Sequence, residues 1–128
     1  MAPSLSALRS VLLDISQPIA KRTHAAFNLR TNGSEESASI IAEALVNKND
    51  SSLMRHELAY ILGQMQHSHV CDILIRILEE ESEDILVRHE SAEVSYPFIL
   101  ISCLSHINSR NLSGTRCHRN GNCSAYFT

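Results

Sequence analysis

LMRHELAYILGQM, residues 53–65, has the residue pattern of one amphipathic helix. Its apolar residues recur at the intervals of three and four that place side chains on one face of a helix. A His-Glu dipeptide, His56-Glu57, lies near its start. The related segment LVRHE follows at residues 86–90, with a second dipeptide, His89-Glu90, 33 positions after the first. The sequence therefore repeats one helical unit.

The same interval relates residues on both sides of this stretch. Arg22, Arg55 and Arg88 fall into register, and each is followed four residues later by an alanine. Apolar residues match at the same displacement along most of residues 1–93, which is the behaviour of a repeat protein. We expect three units, the last of them incomplete. They cover about residues 1–33, 34–66 and 67–93.

Each unit has the pattern of two helices joined by a short polar turn. The first helices are predicted at residues 4–14, 34–46 and 69–80, and the second helices are predicted to start near Pro18, Ser51 and Asp84. Ser34 is suited to cap its helix, because its hydroxyl can accept a hydrogen bond from a free backbone N–H. Polar and apolar residues alternate in no segment, so no sheet is expected.

Helix pairs at a fixed interval bury their apolar faces only by stacking on one another. The period is near that of ankyrin and tetratricopeptide repeats, but the signatures of those repeats are missing, and the Arg-x-x-x-Ala pattern is more similar to a short HEAT repeat. The predicted fold is all-α, an α-solenoid of short HEAT-like helical hairpins with an irregular C-terminal tail.

The composition changes abruptly after Glu93. All 14 acidic residues and eight of the 11 Lys and Arg lie at or before this position, so the formal charge is -6 before the break and +3 after it. Pro97 disfavours helix at Tyr96. We expect residues 94–128 to be a divergent, poorly structured tail. Our hypothesis is that it derives from a retained intron, alternative splicing or a frame error.

The overall composition argues against several classes of partner. The net charge is -3 with 20% charged residues, which does not favour nucleic acid or an anionic membrane surface. No apolar run approaches the roughly 18 residues that a membrane-spanning helix needs. Cysteines occur without an obvious disulfide framework, which suits a reducing compartment. A cytoplasmic protein is expected.

The two His-Glu dipeptides are the candidate site for chemistry. His56 and His89 occupy matched positions in consecutive second helices, as do Glu57 and Glu90. Because packed helices lie about 8–10 Å apart, such side chains can converge on one ion. Imidazole and carboxylate ligands suit non-haem Fe(II), Mn or Zn. A single His-Glu is more often a solvated pair, but here it repeats at the structural period.

The first unit serves as a comparison for this interpretation. Thr23-His24 occupies the place of the His-Glu dipeptide there, so packing of the second helix does not require the dipeptide. Histidine and glutamate are also poor packing residues. The pattern therefore favours a metal site over a purely structural role for these residues.

Two of these segments resemble a known family. Residues 55–65, RHELAYILGQM, are similar to a signature of the deoxyhypusine hydroxylases, and residues 87–92, VRHESA, resemble that family's next repeat. The resemblance covers about residues 1–93. It implies a HEAT-repeat di-iron monooxygenase that hydroxylates deoxyhypusine on the translation factor that carries hypusine.

The resemblance also implies roles for particular residues. The family's site is built from four His-Glu pairs, two in each half of the molecule. By resemblance, His56 and His89 would ligate Fe(II), Glu90 would join them, and Glu57 would be a ligand or a substrate contact. This sequence contains two such pairs, so at most one of the family's two irons is expected here, and activity of the chain alone is uncertain.

Other interpretations stay open from the sequence. The chain can be a non-catalytic helical-repeat fragment that binds a protein partner, or a homodimer that rebuilds a four-pair site. A zinc site is another alternative, although structural zinc sites favour tighter spacing. Its ligands would be Cys103, His106, Cys117 and Cys123.

Two further polar segments were assigned no ligating role. His67 and His69 are expected to be solvated in a turn between helices. The acidic run at residues 79–84 is expected to be a solvated loop, which in the family setting would attract a cationic side chain.

Overall fold

The computed structural model describes residues 1–98, which form three helical hairpins. No strand occurs within these residues, so the all-α prediction is confirmed. A short 3₁₀ turn, Ser68–Val70, precedes the fifth helix. The helices are α1 (Leu5–Leu13), α2 (Ile19–Asn32), α3 (Glu35–Leu45), α4 (Ser52–Met65), α5 (Cys71–Glu79) and α6 (Ile85–Phe98). The cysteine and histidine residues of the alternative zinc site lie outside the described residues, as does the tail from residue 99 onward.

Serine side chains fix the starts of three helices. The hydroxyls of Ser4, Ser34 and Ser51 each accept a hydrogen bond from the backbone N–H three residues later, at 3.1, 3.1 and 3.2 Å. Each bond satisfies a donor that has no partner inside the helix. The predicted cap at Ser34 is therefore confirmed. The predicted helix bounds agree with the structure to within about two residues.

The helices form two layers, as expected for a solenoid. The second helices α2, α4 and α6 pack side by side, and each also packs against the first helix of its own hairpin. The core between the layers consists of leucine, isoleucine and alanine side chains that are almost completely buried. They include Leu12, Leu29, Ile41, Leu45, Leu58, Ile61 and Leu62. None of the helices in residues 1–98 is long and apolar enough to cross a membrane.

The contacts of Arg55 explain why an arginine recurs at this position of the repeat. It lies on α4 with 4% of its side chain exposed, and its Nε donates to the Leu45 carbonyl oxygen at 2.7 Å. Its Nη1 and Nη2 donate to the two carboxylate oxygens of Glu83 at 2.6 and 2.7 Å. The expectation that the run at residues 79–84 is solvated is thus wrong for Glu83, because this buried arginine needs a paired anion.

Arg22 makes the same type of contacts one unit earlier. Its Nε donates to the Leu12 carbonyl oxygen at 3.0 Å, and its Nη1 donates to Asp50 at 2.9 Å. In both units the guanidinium therefore ties the end of the preceding helix to the loop 28 residues further on. The residue 28 positions after Arg88 is Arg116, so the third unit has no acidic partner at this spacing.

Helix α6 extends further than the sequence suggested. It continues to Phe98, so the predicted loss of helix before Pro97 is wrong. Pro97 lies in the last described turn, where its missing N–H removes one intrahelical hydrogen bond. Packing of the helix against α4 outweighs this cost, since Ser95 is buried and Val94 contacts the core.

A close approach between α4 and α6 sets their relative position. A Cβ atom added at Gly63 would lie 2.3 Å from the Val94 Cβ, which is too close for two non-bonded carbon atoms. Gly63 and His56 lie on one face of α4, about two turns apart, and Val94 lies one turn after Glu90 on α6. The contact at Gly63 therefore holds together the two helix faces that carry the candidate ligands.

Candidate metal centre

His56 and Glu90 meet between two consecutive second helices. The Nε2 of His56 on α4 lies 3.0 Å from Oε2 of Glu90 on α6. The Glu90 side chain is only 9% exposed, whereas that of His56 is 33% exposed. A carboxylate so deeply buried requires a hydrogen-bond or ionic partner, and His56 provides it. The structure thus joins one member of each predicted dipeptide.

His89 and Glu57 are placed differently. The Nε2 of His89 lies 3.6 Å from Oε1 of Glu93, one turn later on the same helix, and both side chains are about two-thirds exposed. Glu57 is half-buried on α4. Within residues 1–98, the four predicted ligands do not include three donor atoms that lie within 4.8 Å of one another.

The geometry of the His56–Glu90 pair fits a metal ion as well as a hydrogen bond. Donor atoms about 2.0–2.2 Å from one ion lie roughly 3 Å apart when the angle between them is near 90°. The observed separation of 3.0 Å has this value. An imidazole nitrogen and a carboxylate oxygen are also the donor types that non-haem iron binds. These two residues are therefore suitable ligands for the non-haem iron that was among the metals suggested by the sequence.

A second group of potential ligands was missed by the sequence reasoning. Donor atoms of Glu35, His67 and His69 all lie within 4.8 Å of one another. Both histidines were expected to be solvated. His69 is exposed, whereas His67 is half-buried, and both rings are hydrogen-bonded. The His-x-His spacing was visible in the sequence, whereas the approach of Glu35 depends on how two turns stack.

A surface groove lies apart from the His56–Glu90 pair. It has a volume of ≈ 340 Å³ and is located between α1 and α3. None of the predicted metal ligands lines it, so the groove does not extend the His56–Glu90 site. Its lining residues are Leu5, Ser6, Arg9, Glu36, Ser39, Ile40 and Glu43.

Comparisons with known proteins agree with this architecture. Residues 54–80 match the family of PBS lyase HEAT-like repeats. Deoxyhypusine hydroxylase of Rattus norvegicus is 42% identical over 98 residues, which cover 77% of this chain and 32% of that protein. The Homo sapiens enzyme is 40% identical over 102 residues, covering 80% and 33%. The Drosophila melanogaster enzyme is 38% identical over 105 residues, covering 82% and 34%.

A solved structure shows the same relation at the level of the fold. The structure of human deoxyhypusine hydroxylase in complex with glycerol matches with a TM-score of 0.72 and 37% identity, covering 88% of this chain and 38% of that one. The chain spans about a third of the length of the relatives that it matches. In sequence and in fold, this chain is therefore a relative of the deoxyhypusine hydroxylases.

Proposed function

We propose that the chain is the iron-binding part of a deoxyhypusine hydroxylase-type monooxygenase, whose substrate is the deoxyhypusine side chain of a translation factor. The observation that carries this proposal is the 3.0 Å contact between His56 and Glu90 across two repeats. The relatives named above, hydroxylases of deoxyhypusine, support the substrate class. A translation factor as substrate would place the reaction in the cytoplasm.

His56 and Glu90 would hold an Fe(II) ion directly. The buried carboxylate of Glu90 supplies negative charge where water is largely excluded, which strengthens its attraction to a cation. His89 precedes Glu90 on the same helix, and its pairing with exposed Glu93 is weak enough for a metal ion to replace. His89 would complete the ligand set in this way.

Glu57 would act next to the ion. It lies beside His56 on α4 and is half-buried, so its carboxylate can either ligate or bind the cationic amine of the substrate. Iron, when bound, supplies the activation of dioxygen. The chain's own residues fix the ion between two helices and present carboxylates to a positively charged side chain. Glu83 has no part in this attraction, because Arg55 neutralises it.

A direct assay tests this function. Purified chain is loaded anaerobically with Fe(II), mixed with a deoxyhypusine-bearing protein, and then exposed to dioxygen with a reductant. We expect the substrate to gain the mass of one oxygen atom, and His56→Ala to abolish the gain. His24→Ala is the matched control, because His24 is an exposed histidine in the Thr23-His24 dipeptide that replaces His-Glu in the first unit.

Binding without hydroxylation would indicate the alternative function. If the chain binds the deoxyhypusine-bearing protein but never hydroxylates it, even with Fe(II) bound, the non-catalytic binding function replaces the proposed one. Measuring complex formation by calorimetry in the same samples separates the two functions.

A further inference from the structure

A second cluster of metal-binding side chains lies away from the His56–Glu90 pair, where two successive inter-repeat turns stack. The first turn joins α2 to α3 and contains Gly33, with Glu35 in the first turn of the following helix. The second turn follows α4 and contains His67 and His69. The stacking of repeats therefore brings these three side chains together from two different units.

The donor atoms are close enough to share one ion. One donor atom from each of Glu35, His67 and His69 lies within 4.8 Å of the other two. The two imidazole rings stand edge to face, with centroids 5.6 Å apart and planes inclined at 66°. Rings in this arrangement do not stack on each other.

Hydrogen bonds hold both rings by the same nitrogen. The Nε2 of His67 contacts the Gly33 carbonyl oxygen at 2.7 Å, and Nε2 of His69 contacts the Ser39 hydroxyl at 3.0 Å. A carbonyl oxygen only accepts, so Nε2 of His67 is the donor in this contact, and Nδ1 is the nitrogen that the neutral ring would offer to a metal. Metal-bound histidines typically donate their second ring N–H to a carbonyl or another acceptor in this way.

We propose that Glu35, His67 and His69 form a binding site for a divalent transition metal, Zn²⁺ above all. Two imidazoles and one carboxylate are a ligand set that zinc takes in its open sites, with a water molecule in the fourth position. The His67–Gly33 hydrogen bond alone would explain packing of the two turns. It does not account for the approach of Glu35 to both imidazoles.

The bound ion would clamp the second and third units together. Because it binds only where the turns are stacked, it stabilises the folded chain by an amount that grows with the logarithm of its concentration relative to its dissociation constant. The clamp acts between the same two units that carry His56 and Glu90. It requires neither iron nor the proposed hydroxylase activity.

The test uses the full chain with the inter-helix pair removed by His56→Asn and Glu90→Gln. Zn²⁺ is titrated by calorimetry, and Co²⁺ is titrated by absorption spectroscopy. We expect one equivalent of each metal to be lost when His67→Asn and His69→Asn are added. The lost Co²⁺ signal should lack the thiolate charge-transfer band that cysteine ligands produce, which separates this site from any cysteine site in the chain.

Two matched variants sharpen the experiment. Ser39→Ala keeps the three ligands and removes the partner of His69, so we expect Zn²⁺ affinity to fall roughly 10–100-fold. His24→Asn removes an exposed histidine elsewhere and should change nothing. Circular dichroism of every variant verifies that the helices are retained. Zn²⁺ stoichiometry that is unchanged in a folded His67→Asn, His69→Asn variant would overturn the proposal.

Discussion

The carboxylate of Glu83 shows how much one buried side chain contributes to this fold. Hydrogen bonds from Arg55 hold the pKa of Glu83 below its ordinary value of 4.5, and they outweigh the burial that would raise it. Both side chains are less than 5% exposed. Removing one partner of such a pair leaves an uncompensated buried charge and typically costs about 3–5 kcal/mol.

We therefore expect Glu83→Gln to lower the free energy of unfolding by about 3–5 kcal/mol near neutral pH. Since the folded pKa is depressed, the stabilisation is complete above the ordinary value of 4.5 and is lost as the pH falls through the folded value. Urea unfolding of both proteins over a series of acidic pH values measures the difference. A difference that stays constant down to the lowest pH would contradict this account.

The predicted ligands show which features of the candidate site can be predicted from the sequence and which cannot. Adjacent residues on a helix point about 100° apart, so the His and Glu of one dipeptide do not face the neighbouring helix equally directly. The structure accordingly pairs His56 of one dipeptide with Glu90 of the other. The repeat interval indicated that these units meet, whereas the choice of members depends on helix rotation, which the sequence does not specify.

Between elements, the contact of α4 with α6 is the one that positions the site. The starts of both helices were predictable, because the Ser51 cap of α4 and the apolar periodicity are local signals. The continuation of α6 past Pro97 was not predictable, since it depends on packing of Val94 against Gly63. A local rule about proline was overridden by tertiary contacts.

Gly63→Ala tests this packing. The added methyl would lie 2.3 Å from the Val94 Cβ, so the helices must separate. We expect a loss of about 1–3 kcal/mol in the free energy of unfolding, as for other overpacked cores, and weaker Fe(II) binding because His56 and Glu90 move apart. Val94→Gly in the same chain removes the opposing Cβ and should restore part of both. Chemical denaturation of the single and double variants provides the measurement, and a Gly63→Ala protein as stable as the parent would refute the close approach.

For the molecule as a whole, the number of His-Glu pairs is the central feature. The sequence contains two of them, and the resemblance to the hydroxylase family implies four. The last described helix, α6, also leaves Ile85, Leu86 and Tyr96 at least half exposed. A second copy of the chain would cover these side chains and supply two further pairs.

We accordingly expect native mass spectrometry to show a dimer whose population rises when Fe(II) is added. Leu86→Glu should reduce the dimer, because it places a charge on the exposed face of α6. Ile15→Glu is the matched control, since Ile15 is equally exposed, at 50%, in the turn after α1. Monomers at every Fe(II) concentration would exclude this route to a four-pair site.

The most direct measurement for the account is Fe(II) affinity in a double-substitution cycle on His56 and Glu90. Equilibrium dialysis is performed anaerobically with His67→Asn and His69→Asn present throughout, so that the turn cluster does not contribute. If the two side chains share one ion, His56→Ala and Glu90→Gln each lower the affinity by at least about tenfold, and the double variant loses less than the two effects combined. Fe(II) affinity that is unchanged in both folded single variants would contradict the account.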